Sequence, residues 1–229
     1  MIYTFYSYKG GVGRSMAVAN IAELFSQAGL KVLMIDWDLE APGLERFFEN
    51  VIEPDRILKK LGVIDMLLEY KKEMAQEGPV FDILEETPLY KNLDRFTVPI
   101  YPASPDRGEL RLITAGRRSK AHFSRYANAV LTFDWADFYR NWEGERYIEW
   151  LRRQFKQMAD VVLIDSRTGV TEMGSVCTYH LADTVVMFCA PNQQNLKGTE
   201  KMARHFTSSQ VIESRGGRPL QVLIIPARI

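Results

Sequence analysis

Residues 2–15 read IYTFYSYKGGVGRS, and this stretch decides the fold. It begins with a short aromatic and β-branched run, residues 2–6, which predicts a buried strand. Three glycines and a basic residue follow at once, and residues 14–28 continue with the apolar spacing of a helix that Gly29 ends. The stretch therefore predicts a strand, a glycine-rich loop and a helix in immediate succession.

The glycine-rich loop is the candidate ligand site. Glycines between a strand and a helix let backbone N–H groups close around phosphate oxygens at the positive end of the helix. In the common phosphate-loop pattern G-x-x-x-x-G-K-[ST], Tyr8 stands at the first glycine, Arg14 at the lysine and Ser15 at the hydroxyl. The alternative is a tight strand–helix turn with incidental glycines. We predict that the loop binds nucleotide phosphates through Gly10, Gly11, Val12, Gly13, Arg14, Ser15 and Met16.

The same alternation returns along the chain. Residues 31–35, KVLMI, predict a second strand that is parallel to the first, because a helix joins the two. Later strands are predicted at 160–164, 184–189 and 220–225, with mostly helical crossovers near 171–181 and 195–214. These elements predict an α/β fold, a doubly wound and mainly parallel sheet with helices on both faces.

The middle of the chain is less regular. Residues 56–76 predict a helix, and residues 95–101 and 109–114 predict strands around the turn ASPDRG. Residues 119–158 predict two helices that are rich in aromatic and basic side chains. Amphipathic packing helices and a partner surface are the two interpretations of that stretch.

Composition sets limits on the function. The chain has 229 residues, with 29 basic against 29 acidic side chains, so the net charge gives no support for nucleic-acid binding, although a local basic patch is possible. Cys177 and Cys189 form neither a disulfide framework nor a metal-site spacing, and Cys189 is expected to be buried in an apolar run. No apolar stretch reaches transmembrane length and the N-terminus does not resemble a signal peptide, so we expect a cytoplasmic protein.

The segment KGGVGRS, residues 9–15, resembles the deviant Walker A signature KGGxGK[ST] of the ParA/MinD ATPases. That group also includes the nitrogenase iron protein and the ATPases that target tail-anchored proteins. The resemblance implies ATP and Mg²⁺ as cofactors. It implies that Lys9 reaches the phosphates of the partner subunit across a nucleotide-sandwich homodimer, and that Ser15 binds magnesium. Arg14 departs from the signature, which has a lysine at this position. It keeps the positive charge, but a planar guanidinium is not a point charge, so we expect phosphate binding to survive and the hydrolysis rate to be affected.

Two aspartates end the second predicted strand. Asp36 and Asp38 face the same way because side chains alternate along a strand, and they leave the carboxyl end, where ligands sit in open α/β sheets. The segment DWDLEAPGL, residues 36–44, resembles switch I of the family. By that resemblance Asp38 positions the attacking water, and Asp36 supports the magnesium ion indirectly or has a structural role. The alternative is a solvated acidic strand end.

The segment DVVLIDSRTGV, residues 160–170, resembles Walker B and switch II of the same family. Asp165 would hold a magnesium-bound water, since Mg²⁺ keeps its waters and takes few carboxylates. Gly169 would let the switch approach the γ-phosphate. Arg167 is a less favoured phosphate sensor, because an exposed switch arginine is the more common case.

Three residues are candidates for lining the adenine. Pro191 and Asn192 follow the strand at 184–189, and Arg228 follows the last predicted strand. Proline and asparagine also occur in such loops simply because they favour turns. The resemblance is specific for residues 1–44 and 158–190 and weaker for 190–229. We expect one ATPase domain over residues 1–229, in which 85–157 is a region that diverges from the family.

Several functions stay open. The first is an ATP-driven dimerisation switch with slow hydrolysis, which regulates a fused or separate effector. The second is a nucleotide-binding interaction module with little or no hydrolysis. The third is a metabolic ligase or a bacterial tyrosine kinase of the same superfamily; a kinase would need a tyrosine-rich tail, and an iron–sulfur reductase would need differently placed cysteines. We also expect the protein to extend beyond Ile229, because no helix follows the last predicted strand to cover it.

Overall fold

The computed structural model describes residues 1–77, 92–168 and 176–227. Seven strands form one sheet in the order β3-β4-β2-β5-β1-β6-β7. Every neighbouring pair is parallel except β3 and β4, which are antiparallel. The strands are β1 (Ile2–Ser7), β2 (Val32–Asp36), β3 (Thr97–Tyr101), β4 (Leu110–Ile113), β5 (Val161–Asp165), β6 (Thr184–Cys189) and β7 (Gln221–Pro226). The predicted mainly parallel sheet is confirmed, and the strand bounds agree with the predicted ones to within two residues.

Helices cover both faces of this sheet. The described α-helices are α1 (Arg14–Gln27), α2 (Pro54–Leu58), α3 (Val63–Glu77), α4 (Phe123–Thr132), α5 (Trp135–Asn141), α6 (Gly144–Met158), α7 (Gln193–Phe206) and α8 (Ser209–Ser214). Short 3-10 helices at Leu44–Phe48 and Leu93–Phe96 and a π-helical segment at Val176–Leu181 complete the described elements. The remainder of the predicted crossover at 171–181 lies outside the described residues.

The single helix expected over 56–76 is in fact two, α2 and α3, separated at Gly62. The backbone of Gly62 lies against the end of β4, where an added Cβ would come within 2.1 Å of the Thr114 carbonyl oxygen. The chain therefore leaves the helical path there to pack against the sheet. Helix α3 then begins at Val63, and the carboxylate of Asp65 in its first turn accepts from the Gly62 N–H at 3.0 Å.

The two helices expected over 119–158 are three. Asp134 caps α5 by accepting from the Asp137 N–H, which starts a new helix after α4. Glu143 then adopts a left-handed conformation with φ of 49°, and this residue separates α5 from α6. Side-chain caps and a single left-handed residue are local features that apolar periodicity does not report.

The core has a layer on each face of the sheet. On one face the aromatic residues of α3, α5 and α6 pack together, and the rings of Tyr70 and Tyr147 stack with centroids 4.0 Å apart. On the other face α1 packs Val18 and Ala22 over β2 and β5. Many aromatic side chains of 119–158 therefore serve packing. Among the described residues, no helix combines the length and the apolar character needed to cross a membrane.

Candidate functional site

The carboxyl ends of the three central strands bring the predicted aspartates together. In the sheet register Asp165 of β5 lies beside Asp36 of β2 on one side and Phe5 of β1 on the other. The Trp37 N–H, just past β2, donates to the Asp165 carbonyl at 2.9 Å. Parallel strands thus place residues that are more than a hundred positions apart at one edge.

The glycine loop connects this edge to α1. Gly11 and Gly13 have φ values of 72° and 80°, a left-handed conformation that side-chain-bearing residues rarely adopt. Helix α1 begins at Arg14 with no side-chain cap and no acidic residue in its first turn. Its first N–H groups are therefore available to an external anion at the positive end of the helix. Gly10, Gly11 and Gly13 are exposed, while Val12 is buried in the core.

Arg14 lies across the strand ends. Its side chain is only 7% exposed, its Nε donates to Asp165 Oδ1 at 2.5 Å and its Nη2 lies 3.2 Å from Asp38 Oδ2. The Ser7 hydroxyl, at the end of β1, accepts a longer hydrogen bond of 3.5 Å from Nη1. The guanidinium therefore bridges two carboxylates with different expected roles. Asp165 is expected at the magnesium site, and Asp38 is expected to position the attacking water.

The start of α1 places Ser15 close enough to Asp165 to act on its carboxyl. Burial raises the pKa of the Asp165 carboxyl, while Arg14 and Ser15 act in the opposite direction. Ser15 and Asp165, two of the residues expected at the magnesium ion, therefore lie near each other. A hydroxyl and a carboxylate oxygen are donors of the kind that Mg²⁺ prefers, so this pair fits the ion.

Asp36 holds the switch I segment. It is fully buried; its Oδ2 accepts from the N–H groups of Gly43 and Leu44 at 3.0 and 3.1 Å, and its Oδ1 accepts from the Asp38 N–H at 3.2 Å. Burial, followed by the charges of Asp165 and Glu45, raises the pKa of Asp36 to about 8. This geometry favours the structural alternative for Asp36 over direct contact with a ligand.

Asp38 is the more accessible of the two aspartates. Besides its pair with Arg14, its Oδ1 accepts from the Ala41 N–H at 3.3 Å. The two carboxylates of Asp38 and Asp165 outnumber the one guanidinium that contacts both of them. A cation would lower that excess negative charge, and it would not need a full protein cage, because Mg²⁺ commonly uses one or two carboxylates with waters and phosphates. Within the described residues no group of three or more His, Cys, Asp or Glu converges on one point.

Lys9 points to the other side of the loop. Its Nζ is exposed and donates to Gln194 Oε1 of α7 at 2.5 Å. Tyr8 fixes the loop before it, because its ring packs on Gly198 of α7 so closely that an added Cβ would come within 2.4 Å. Lys9 therefore lies away from the carboxylates that Arg14 contacts.

The predicted adenine residues lie at the ends of β6 and β7. Asn192 caps α7, since its Oδ1 accepts from the backbone and side-chain N–H groups of Asn195 at 3.0 Å each. Pro191 is exposed beside it, and Met16 of α1 is about half exposed. The Ala227 N–H donates to the Cys189 carbonyl at 2.9 Å, which joins the two strand ends. Arg228 and Gly169 lie outside the described residues.

One contact was missed by sequence reasoning. Arg167, which follows β5, forms an ion pair with Glu40 of the switch I segment. The two residues are 127 positions apart, and no motif connects them. The resemblance already placed each in a switch, and that placement was the one available signal that they could meet.

Comparison with known proteins agrees with this fold. The family model of the CobQ/CobB/MinD/ParA nucleotide binding domain matches residues 3–215. A plasmid partition protein from Borrelia burgdorferi has a similar structure, with a TM-score of 0.60 and 18% identity over 98% of this chain and 77% of that one. The Cyanothece McdA(D38A)–ATP complex gives a TM-score of 0.61 and 17% identity over 98% of this chain and 69% of that one.

Two further proteins resemble this chain, one in structure and one in sequence. The septum site-determining protein MinD from Pyrococcus horikoshii, solved with Mg-ADP, gives a TM-score of 0.58 and 16% identity over 96% of this chain and 67% of that one. The tyrosine-protein kinase YwqD of Bacillus subtilis is 32% identical over 84 residues, which are 36% of this chain. That match spans 33% of the kinase, so it concerns a part of each protein.

Proposed function

The chain belongs to the CobQ/CobB/MinD/ParA nucleotide-binding domain family, and we propose that it binds ATP with Mg²⁺ and hydrolyses it slowly as a nucleotide-driven dimerisation switch. The switch would regulate a fused or separate effector. We also propose that residues 1–229 form a single ATPase domain and that the protein is cytoplasmic. The observation that carries the function is the convergence of the uncapped start of α1, Ser15 and Asp165 at one edge of the sheet.

The proposed roles follow from the contacts. The N–H groups of residues 10–16 bind the phosphates at the start of α1. Ser15 and Asp165 hold the magnesium ion, which supplies charge neutralisation for the phosphates when it is bound. Asp38, at the accessible end of β2, orients the attacking water. Asp36 keeps the backbone of residues 38–44 in place through its three N–H contacts.

Arg14 has to change partners for this function. Its guanidinium contacts Asp165 and Asp38, both of which have roles in the proposed reaction. We infer that Arg14 releases Asp165 as the metal–nucleotide binds, and that it then turns to the phosphates of the same subunit. The exchange of one charge-assisted contact for another keeps the guanidinium paired, because a buried charge left without a partner is costly.

Lys9 supports the dimer part of the proposal. It is exposed, and its contact with Gln194 directs it away from Asp165. A long side chain in this position is free to reach a facing subunit after it releases one exposed hydrogen bond. The alternative is that Lys9 is a surface residue beside a loop and has no role in a dimer.

The partial match to a tyrosine kinase supports a second candidate, phosphoryl transfer to tyrosine. The same nucleotide site would serve it, with a tyrosine hydroxyl in place of water as the acceptor. Incubation with Mg-ATP, followed by measurement of free phosphate and of phosphotyrosine, separates the two. Free phosphate without phosphotyrosine supports the hydrolase, and phosphotyrosine supports the kinase.

Thermal unfolding tests the central proposal. ATP with magnesium should stabilise the protein by about 2.7 kcal/mol at a hundredfold excess over Kd, since a ligand bound by the native state alone shifts the folding equilibrium. Steady-state phosphate release then separates a hydrolase from an interaction module that binds without turnover. The absence of a thermal shift with ATP, ADP and GTP in the presence of magnesium would refute nucleotide binding.

A further inference from the structure

The hydroxyl of Tyr126 reaches the backbone next to Asp38. Tyr126 is the buried residue of helix α4. Its Oη donates to the Leu39 carbonyl at 2.6 Å, and Leu39 directly follows Asp38. Burial raises the pKa of the Tyr126 phenol, so the hydroxyl keeps its proton and remains a donor. The contact joins the switch I segment to a helix that lies 87 positions further along the chain.

The Leu39 carbonyl depends on this hydroxyl. Within the part of the chain that the structure describes, no other group donates a hydrogen bond to it. Leu39 is 1% exposed, so water has almost no access that would let it replace the phenol. A buried carbonyl without a donor is unfavourable, and the backbone around Leu39 would therefore have to move if the hydroxyl were removed.

The ring that carries the hydroxyl is closely packed. Gly116, just after β4, lies so near that an added Cβ would come within 2.8 Å of the Tyr126 ring. The Arg118 guanidinium lies 5.7 Å from the ring centroid, and it forms a buried ion pair with Glu45, the residue that follows the switch I segment. The hydroxyl therefore meets the backbone of switch I from a fixed position.

Other contacts hold the backbone on the near side of Asp38. The Trp37 N–H donates to the Asp165 carbonyl at 2.9 Å, and the Asp38 N–H donates to Asp36 Oδ1 at 3.2 Å. These two contacts come from the ends of the central strands. The Tyr126 hydroxyl holds the backbone that follows Asp38, so the aspartate is anchored on both sides along the chain.

We propose that Tyr126 is a positioning residue for ATP hydrolysis, which acts through the Leu39 carbonyl to keep the Asp38 carboxylate where it orients the attacking water. This inference rests on the proposed function. In that function Arg14, which contacts Asp38, turns to the phosphates, and the backbone anchors then keep Asp38 in place. A misplacement of about 1 Å in a reacting geometry can slow the reaction on the order of a hundredfold.

Tyr126→Phe tests the role because it removes the hydroxyl and keeps the ring. Phosphate release at saturating ATP should fall about tenfold while the Kd for ATP stays within about twofold, since Asp38 acts in the transition state. Tyr139→Phe is the matched control, because the buried hydroxyl of Tyr139 on α5 has no hydrogen-bond partner among the described residues. The control should keep the parent rate within about twofold. An unchanged rate in Tyr126→Phe, or an equal loss of rate and affinity, would overturn the proposal.

A double-mutant cycle separates the positioning of Asp38 from a general structural role. If Tyr126 acts through Asp38, Tyr126→Phe should slow phosphate release by less than about twofold in a protein that already carries Asp38→Ala. Single-turnover release of labelled phosphate measures these slow rates, and thermal melts establish that each variant is folded. A loss of about tenfold in both backgrounds would mean that Tyr126 does not act through Asp38 and would end the proposal.

Hydrogen exchange of the nucleotide-free protein tests the contact without turnover. Amides of residues 38–44 should exchange at least about threefold faster in Tyr126→Phe than in the parent, and at the parent rate in Tyr139→Phe. Unchanged exchange in Tyr126→Phe would overturn the proposal even if phosphate release fell. If the parent does not hydrolyse ATP, the proposed function fails, and the exchange rates alone decide whether Tyr126 fixes the backbone beside Asp38.

Discussion

Lys9 and Arg14 are the two basic residues of one loop, yet their surroundings are opposite. Arg14 is buried and pairs with Asp165 and Asp38, whereas Lys9 is exposed and contacts Gln194 of α7. The left-handed glycines between them turn the chain so that the two side chains leave on different sides. The contrast teaches that two equal charges in one motif need not share the same environment or contact the same partners.

Of the variants that test this contrast, Lys9→Ala should have the largest effect. We expect ATP-dependent dimerisation to disappear, and turnover that depends on it to fall on the order of a hundredfold or more, because a positive charge supplied across the interface is lost. ATP affinity of the monomer should stay within about twofold, since Lys9 does not face the site of its own chain. Light scattering with a non-hydrolysable ATP analogue measures the assembly.

Lys197→Ala is the matched control for Lys9, because Lys197 is an exposed lysine on α7 near the same surface. It should dimerise like the parent protein. If Lys9→Ala also dimerises like the parent, or if the parent never dimerises with ATP, the sandwich-dimer mechanism should be abandoned and Lys9 treated as a surface residue.

Asp38→Ala tests the role of one of the two carboxylates that Arg14 contacts. Hydrolysis should slow by about a hundredfold at nearly unchanged ATP affinity, because the proposed role of Asp38 is exerted in the transition state. Phosphate-release kinetics and a binding titration give the two quantities. Asp55→Ala, at an exposed aspartate of α2, is the control. A parent-like rate in Asp38→Ala would show that another group orients the water, and a parent without turnover would favour the interaction module.

Arg14→Ala should weaken ATP binding by the monomer by about tenfold, since a charge-assisted hydrogen bond to phosphate is lost. Arg14→Lys should retain most of the affinity, because it keeps a positive charge and restores the family signature. Calorimetry of monomeric protein measures both variants. Unchanged or tighter ATP binding in Arg14→Ala would mean that Arg14 serves the carboxylates alone.

The last expected effect is on the stability of the fold and concerns pH. The folded protein raises the pKa of Asp36 from an ordinary 3.8 to about 8, so between those values the folded state keeps a proton that the unfolded state has released. Stability should therefore fall as pH rises through this window, with a slope of up to about 1.4 kcal/mol per pH unit from this one group.

Urea unfolding of metal-free protein at a series of pH values measures that slope. Asp36→Asn should be less stable, because its amide N–H₂ faces backbone donors, but its stability should depend less steeply on pH than that of the parent. An equal slope in the two proteins would assign the titration to another group.

Much of the fold was predictable because its signals are local. Apolar runs of five or six residues marked the strands, and Gly29 marked the end of α1 to within two residues. The interruption at Gly62 and the separation of α5 from α6 at Glu143 were not predictable, because the first depends on contact with β4 and the second on one backbone conformation. Periodicity over a window averages out such single-residue features.

The sequence by itself determined that a strand, a glycine loop and a helix follow one another over residues 2–28, and that Asp36 and Asp165 end strands of one sheet, with Asp38 just beyond the first. Those conclusions depend on the chemistry of neighbouring residues, which a motif records. Only the tertiary structure decided that Arg14 bridges Asp165 and Asp38, that Arg167 meets Glu40, and that Glu45 and Arg118 form a buried ion pair. Those pairs are brought together by strand order and helix packing, and the free energy of each depends on burial that no stretch of sequence contains.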